Sequence, residues 1–312
     1  MPLWLKRYEA LMNDLLKRIF AKKKVSVPID QVIHTTPLSE DQLVGVSKES
    51  LMLKPPQFLV GTGQSVGMQR DHNEDTLFTF TSVLAEGVND LPFGICMVAD
   101  GMGGHKNGEI ASGVAARVVS KYLVNRVFLR FLELHKEPVD ESIQETLQNA
   151  VAEAQRAVVR YAPGGGTTLT CAMLVGEQVT VAHIGDSRAY FIYSDGRIQK
   201  ITKDHSLVQR MVEIGEITEV EAQTHPQKNV LLKALGQNDP VKADIQTFQF
   251  PKNGFMLLCS DGLWGLVSDA EIYRIVSSNS DPAIACHQLI EMANANGGPD
   301  NISVIIITLR GL

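Results

Sequence analysis

Four aspartates stand where apolar runs meet Gly, Ser or Asn. Asp100 ends the run over residues 93–99 and is followed by Gly101-Met102-Gly103-Gly104-His105. Asp186 follows Val181-Ala182-His183-Ile184-Gly185, Asp261 follows Met256-Leu257-Leu258-Cys259-Ser260, and Asp300 precedes the run that starts at Ile302. Apolar runs of this length read as buried strands, so each acid lies at a strand end. A single Asp-Gly junction is an ordinary turn. Four such junctions, together with Glu74-Asp75, imply loops converging on a cation at one edge of the fold. Clustered carboxylates resist ionisation unless a cation neutralises them. Glycines let the backbone bring a carboxylate and a bare carbonyl close to one point, as a hard divalent ion requires. Oxygen donors without His or Cys among them suit Mg2+ or Mn2+ rather than Zn2+.

Arg70 lies five residues before Asp75 in the polar turn Gln69-Arg70-Asp71-His72-Asn73-Glu74-Asp75. Beside carboxylates a guanidinium can balance charge, or it can grip a phosphate with two parallel hydrogen bonds. Two metal ions plus an arginine hydrolyse phosphate esters by lowering the pKa of a bound water and neutralising the transition state.

The elements that must hold these residues follow from periodicity. Residues 58–62, 76–80 and 93–99 read as strands, then 108–124 and 143–161 as helices. Strands return at 168–175, 178–184, 189–193 and 197–201. A polar section over 202–238 carries two short helical pieces, the second opened by the capping box of Thr218 and Glu221. Strands at 241–250 and 255–259 precede a helix opened by Ser268 and Glu271, a helix after Asp281-Pro282, and a last strand over 302–309. Strand runs separated by helix pairs do not alternate as a doubly wound parallel fold does. They predict an α+β fold in which two antiparallel β-sheets pack as a sandwich with helix pairs outside, in α-β-β-α layers.

The chain has 312 residues and a net charge of -6. Residues 1–24 carry a net charge of +5, so the remaining body is acidic, which excludes a nucleic-acid partner. Trp4, Tyr8, Leu11, Leu15 and Ile19 fall at helical spacing with basic residues opposite. Residues 3–20 therefore read as a basic amphipathic helix that docks on its own domain, on a partner or on an anionic membrane surface. Residues 25–56, with Pro28, Pro37, Pro55 and Pro56, read as a linker, and residues 57–312 as one folded body. Cys96, Cys171, Cys259 and Cys286 are widely spaced and read as reduced core thiols. No apolar run is long enough to span a bilayer. The expected location is the cytoplasm, peripheral at the membrane if the basic helix docks there.

The ordered set of motifs resembles the metal-dependent protein phosphatases, the PPM or type 2C family, in their bacterial form. The matching stretches are Gly67 to Asp75, Val98 to His105, Gly166-Thr167-Thr168, Ile184-Gly185-Asp186-Ser187-Arg188, Ile201-Thr202-Lys203-Asp204-His205, His225-Pro226-Gln227, Ala234-Leu235-Gly236, Cys259-Ser260-Asp261-Gly262-Leu263 and Gly298-Pro299-Asp300-Asn301. They cover about residues 58–310. The resemblance implies a protein serine/threonine phosphatase that acts in signal transduction on phosphoserine and phosphothreonine of proteins phosphorylated by Ser/Thr kinases. A hydroxide bridging two Mn2+ or Mg2+ ions would attack phosphorus directly. It implies that Asp100 bridges the ions, that the carbonyl of Gly101 ligates one of them, and that Asp261 and Asp300 complete the other. Glu74 and Asp75 would act through metal-bound waters, Arg70 would anchor the phosphate, and Asp186 with Asp261 would hold a weaker third ion. Residues 206–227 match the flap beside the active site.

One position departs from the animal members, which carry a histidine directly after the Asp-Gly pair where this chain has Met102. His105, His72 and His205 are alternative proton donors, and a metal-bound water is another. Two rival readings remain at this level: a catalytically weak, phosphatase-like scaffold that binds phosphoproteins, and a phosphatase for small phosphoesters.

Overall fold

The computed structural model describes residues 55–86, 90–103, 106–133, 141–237 and 241–311. The predicted basic helix, nearly all of the predicted linker and His105 lie outside the described residues. Two five-stranded sheets dominate what is described. The first runs β1 (Gln57–Ser65), β12 (Ile302–Arg310), β11 (Phe255–Cys259), β8 (Arg188–Ile192), β9 (Ile198–Lys200). The second runs β10 (Asp244–Gln249), β7 (Gln178–Ile184), β6 (Leu169–Val175), β3 (Leu91–Ala99), β2 (Thr76–Leu84). Every pairing is antiparallel. A two-residue ribbon pairs β4 (Gly101–Met102) with β5 (Gly166–Thr167).

Side-chain alternation along the inner strands builds three layers of core. Cys96 and Val98 of β3 face Phe191, Leu258 and Ile305 between the sheets. Their neighbours Ile95 and Met97 point the other way, onto α1 (Lys106–Leu123) and α2 (Ile143–Tyr161). On the opposite side Val304 and Ile306 meet α6 (Asp269–Ser278) and α7 (Pro282–Ala295). Because both faces are covered, β3 and β12 read as unbroken apolar runs rather than alternating ones. The expected α-β-β-α sandwich is therefore the observed fold.

The helix starts obey local chemistry. Ser142 with Glu145, Thr218 with Glu221 and Ser268 with Glu271 each form a reciprocal capping box, and Asp281 caps α7 ahead of Pro282. Between β9 and β10 lie two short helices, α3 (Leu207–Glu213) and α4 (Glu219–Thr224). α5 (Asp261–Trp264) was not foreseen: it begins on the acid that sequence pattern placed only at a strand end. The four cysteines are free and buried, and burial pushes Cys171, Cys259 and Cys286 up to about 12. None is a ready nucleophile. Among the described residues no helix is long and apolar enough to cross a membrane.

Candidate metal centre

The acids are gathered by the loops at one edge of the sandwich. Asp100 follows β3, and its backbone is clamped by the strand opposite. Its N–H donates to Thr168 Oγ1 at 2.9 Å, and its carbonyl accepts from Thr168 N–H and Thr167 Oγ1, each at 2.9 Å. Thr168 Oγ1 in turn lies 2.8 Å from Ser187 Oγ, beside Asp186. Gly101 is buried where a Cβ would stand 2.3 Å from the Gly108 carbonyl oxygen and 2.5 Å from that of Glu74. Only glycine fits there. On the far side of the same crowding, Ser112 Oγ donates to the Glu74 carbonyl at 2.6 Å. α1 thus holds the Glu74-Asp75 backbone against Gly101.

Asp261 opens α5, whose start is packed so closely that a Cβ on Gly262 would be 2.0 Å from the Asn301 carbonyl oxygen. Asp300 accepts from the Asn301 N–H at 2.8 Å and pairs with Arg70 Nη2 at 2.8 Å. Arg70 Nε also donates to the Pro299 carbonyl at 3.3 Å. Asp186 is buried, and its carbonyl accepts from Trp264 Nε1 at 3.0 Å. The Arg188 guanidinium stacks 3.5 Å above that indole while gripping Asp204 through both Nε and Nη2. The Asp186 loop is thereby tied both to α5 and to the root of the segment over residues 206–231.

The electrostatics are those of crowded, buried carboxylates. Burial and then the neighbouring carboxylates hold Asp75, Asp100, Asp186 and Asp261 above the usual carboxylate range. For Asp100 the neighbours are Asp75, Asp261, Asp186 and Asp300, so the five aspartates share one electrostatic environment. Hydrogen bonding between the Asp100 and Asp261 side chains works against the rise at Asp261. The Oδ2 atom of Asp75 is buried with no hydrogen-bond partner, an expense that a bound cation would remove. Among the described residues no three of the His, Cys, Asp and Glu side chains converge as a ready-made cage. The raised acids, the orphaned oxygen and a glycine carbonyl nonetheless make an all-oxygen donor set that fits hard divalent ions.

The structure brings Glu74, Asp75, Asp100, Gly101, Asp186, Asp261, Asp300 and Arg70 to this one edge. His72 lies between Asp71 and Glu74, at 2.6 and 3.2 Å, and those hydrogen bonds raise its pKa. His205 is committed elsewhere, accepting from Gly185 N–H at 3.1 Å and pairing with Asp244 at 3.2 Å. Met102 lies against Gly166. Sequence pattern quoted Thr168, Arg188, Asp204 and Asn301 without a role, and missed Ser112 and Trp264. Only their hydrogen bonds reveal what they hold. The capping and strand rules carry no signal for contacts so distant along the chain.

Comparison with known proteins agrees with this geometry. Residues 63–290 match the family model described as Protein phosphatase 2C. A serine/threonine phosphatase Stp of Listeria innocua is 37% identical over 247 residues, covering 77% of this chain and 92% of that protein. The catalytic domain of the serine/threonine protein phosphatase PstP, solved in complex with two manganese ions, superposes with a TM-score of 0.65 at 30% identity, covering 81% of this chain and 98% of that one. Serine/threonine phosphatase Stp1 from Staphylococcus aureus superposes with a TM-score of 0.65 at 31% identity, covering 81% and 95%.

Proposed function

The chain belongs to the protein phosphatase 2C family and is a metal-dependent protein serine/threonine phosphatase; from that premise we propose how its own residues divide the work. Asp100, the Gly101 carbonyl, Asp261 and Asp300 hold two divalent ions, Mn2+ or Mg2+, with Glu74 and Asp75 acting on them through water. Asp186, with Asp261, holds a third and weaker ion. When bound, the ions supply a hydroxide at neutral pH and neutralise charge on the phosphoryl group. The observation that carries this reading is the buried Asp75 Oδ2, left without a hydrogen-bond partner among buried aspartates that raise one another's pKa.

The remaining steps belong to the chain. Arg70, half-exposed at the lip, orients the phosphate through paired N–H donors while its Nη2 pairs with Asp300 at 2.8 Å. Glycines at 101 and 262 keep the acids close to one another without steric strain. The flap over residues 206–227 borders the substrate and selects among phosphoproteins made by Ser/Thr kinases. Residues 3–20 dock on a partner or on an anionic membrane surface, a reading supported by their charge and helical spacing.

Hydrolysis of a phosphothreonine peptide with added Mn2+ tests the core of this reading. Chelation and Asp261→Asn are each expected to abolish turnover, and calorimetry on the same variant should show weakened Mn2+ binding. Turnover that survives both treatments contradicts the two-ion mechanism. Co-sedimentation with anionic vesicles, with and without residues 1–24, tests docking on the membrane surface: equal binding rejects it.

A further inference from the structure

The loop that presents Arg70 has little of its own to hold it. Residues 66–75 form neither helix nor strand, and the Arg70 to Asp300 ion pair is half-exposed, a kind of contact that restrains weakly. Beside the Met68 N–H bond to the Gly298 carbonyl and the Ser112 bond to the Glu74 carbonyl, one buried amide spans the loop from end to end. Asn301 is 5% exposed, and its side chain makes three hydrogen bonds, all to this loop. Oδ1 accepts from Glu74 N–H at 2.8 Å, while Nδ2 donates to the carbonyls of Val66 and His72, both at 2.9 Å.

The chemistry admits few substitutes. A carboxamide presents two donors and an acceptor in one plane, and each is used here on a backbone group. Aspartate would turn both donors into acceptors facing carbonyls. Asn301 is itself immobilised, because its N–H donates to Asp300 Oδ1 and its carbonyl is pressed against Gly262 at the start of α5. A single side chain thus links the loop bearing Arg70 to the turns bearing Asp300 and Asp261.

We propose that Asn301 is a positioning residue that sets the aim of Arg70 at the substrate phosphate. This rests on the reading of Arg70 as the phosphate grip. Asn301 does not reach the phosphate. It fixes both ends of the loop, so that the guanidinium is already in place when substrate arrives and no ordering is needed on binding.

The experiment is a double-mutant cycle on the full chain, with KM and kcat for a phosphothreonine peptide measured at saturating Mn2+. Arg70→Ala tests the parent reading first: an unchanged KM removes Arg70 as the grip, and the role of Asn301 with it. Given a raised KM for Arg70→Ala, Asn301→Ala is expected to raise KM by about 10- to 100-fold. In the double variant it should add almost nothing to Arg70→Ala alone. Independent, multiplying effects in the double variant, or an unchanged KM in Asn301→Ala, overturn the proposal and leave the Arg70 reading standing.

Hydrogen exchange supplies a readout that does not depend on turnover. In Asn301→Ala the Glu74 amide should exchange at least ~10-fold faster, while the amides of residues 304–307 in β12 stay protected. An unaltered Glu74 rate overturns the proposal. If Asn301→Ala fails to fold, Asn301→Asp, which keeps volume and the Glu74 acceptor, should show the same KM rise, and a wild-type KM there is fatal. The wild type alone gives a last check: a Glu74 amide exchanging at the free-peptide rate also overturns it.

Discussion

Two irregular segments flank the acid cluster, and they are held in opposite ways. The loop over residues 66–75 is tied along its length: Met68 N–H to the Gly298 carbonyl at 2.7 Å, Arg70 to Pro299 and Asp300, and both ends to Asn301. The segment over residues 206–231 is gripped at its neck, by the Ser206 to Leu231 bridge, Leu207 N–H to the Val230 carbonyl at 2.8 Å and Leu232 N–H to the His205 carbonyl at 2.7 Å. Within its two short helices, α3 and α4, only Val208 is buried, and Ile214 and Val220 stand 53% and 74% exposed. On the proposed function, the group that grips the phosphate sits on the first segment and the surface that meets protein partners on the second, where few buried contacts restrain it.

The largest effect should come from the pinned side. Gly101→Ala forces a Cβ to within 2.3 Å of backbone, so activity should fall by at least ~10^3-fold, measured as kcat/KM, with a lowered melting temperature. Retained activity would show that this side yields as easily as the flap. Cations should next stabilise the pinned side alone. Asp75, Asp100, Asp186 and Asp261 have folded pKa values raised by burial and by one another. The folded chain therefore binds more protons than the unfolded one above the usual carboxylate range, and without cations these groups cost stability as pH rises. Mn2+ removes that cost and competes with those protons, so its lift in melting temperature should grow from pH 5 to pH 8. A shift independent of pH would detach the acids from the ion site.

A smaller effect of opposite sign is expected at the root of the flap. His183 is buried, with Nδ1 on Thr170 Oγ1, Nε2 on the Lys203 carbonyl and the His205 ring beside it. Burial, then His205, lowers it to about 4, against the pull of Asp204 and Asp244. The unfolded chain binds the extra proton between roughly pH 6.5 and 4, so stability is lost as pH falls through that window, by up to about 3 kcal/mol. Urea denaturation at pH 7 and pH 5 measures it, and His183→Gln should flatten the difference. The smallest change should follow Val220→Ser on the flap. Stability should stay within about 0.5 kcal/mol, while kcat/KM ratios between two phosphoproteins shift less than about 10-fold. A large loss of stability would mean that the flap is packed as tightly as the loop.

Much of this was legible in the order of residues. Cys96 and Met97, adjacent in one apolar run, had to face different layers, because strand periodicity is two. The capping boxes at Thr218 and Ser268 mark helix starts because their hydrogen bonds span three residues. Acids at strand ends declared themselves by type, and the family resemblance ordered them. The helix that begins at Asp261 was less legible, since α5 is only one turn long and leaves no periodicity to read.

What sequence alone determined, then, are the local and periodic things: strands, caps, the acidic donor set and the family. Tertiary structure decided which groups hold those donors. Asn301 lies 227 residues from Glu74 along the chain, and Trp264 lies 78 from Asp186. No short-range rule links such pairs, because a hydrogen bond depends on distance in space, and that distance exists only after the two sheets have packed.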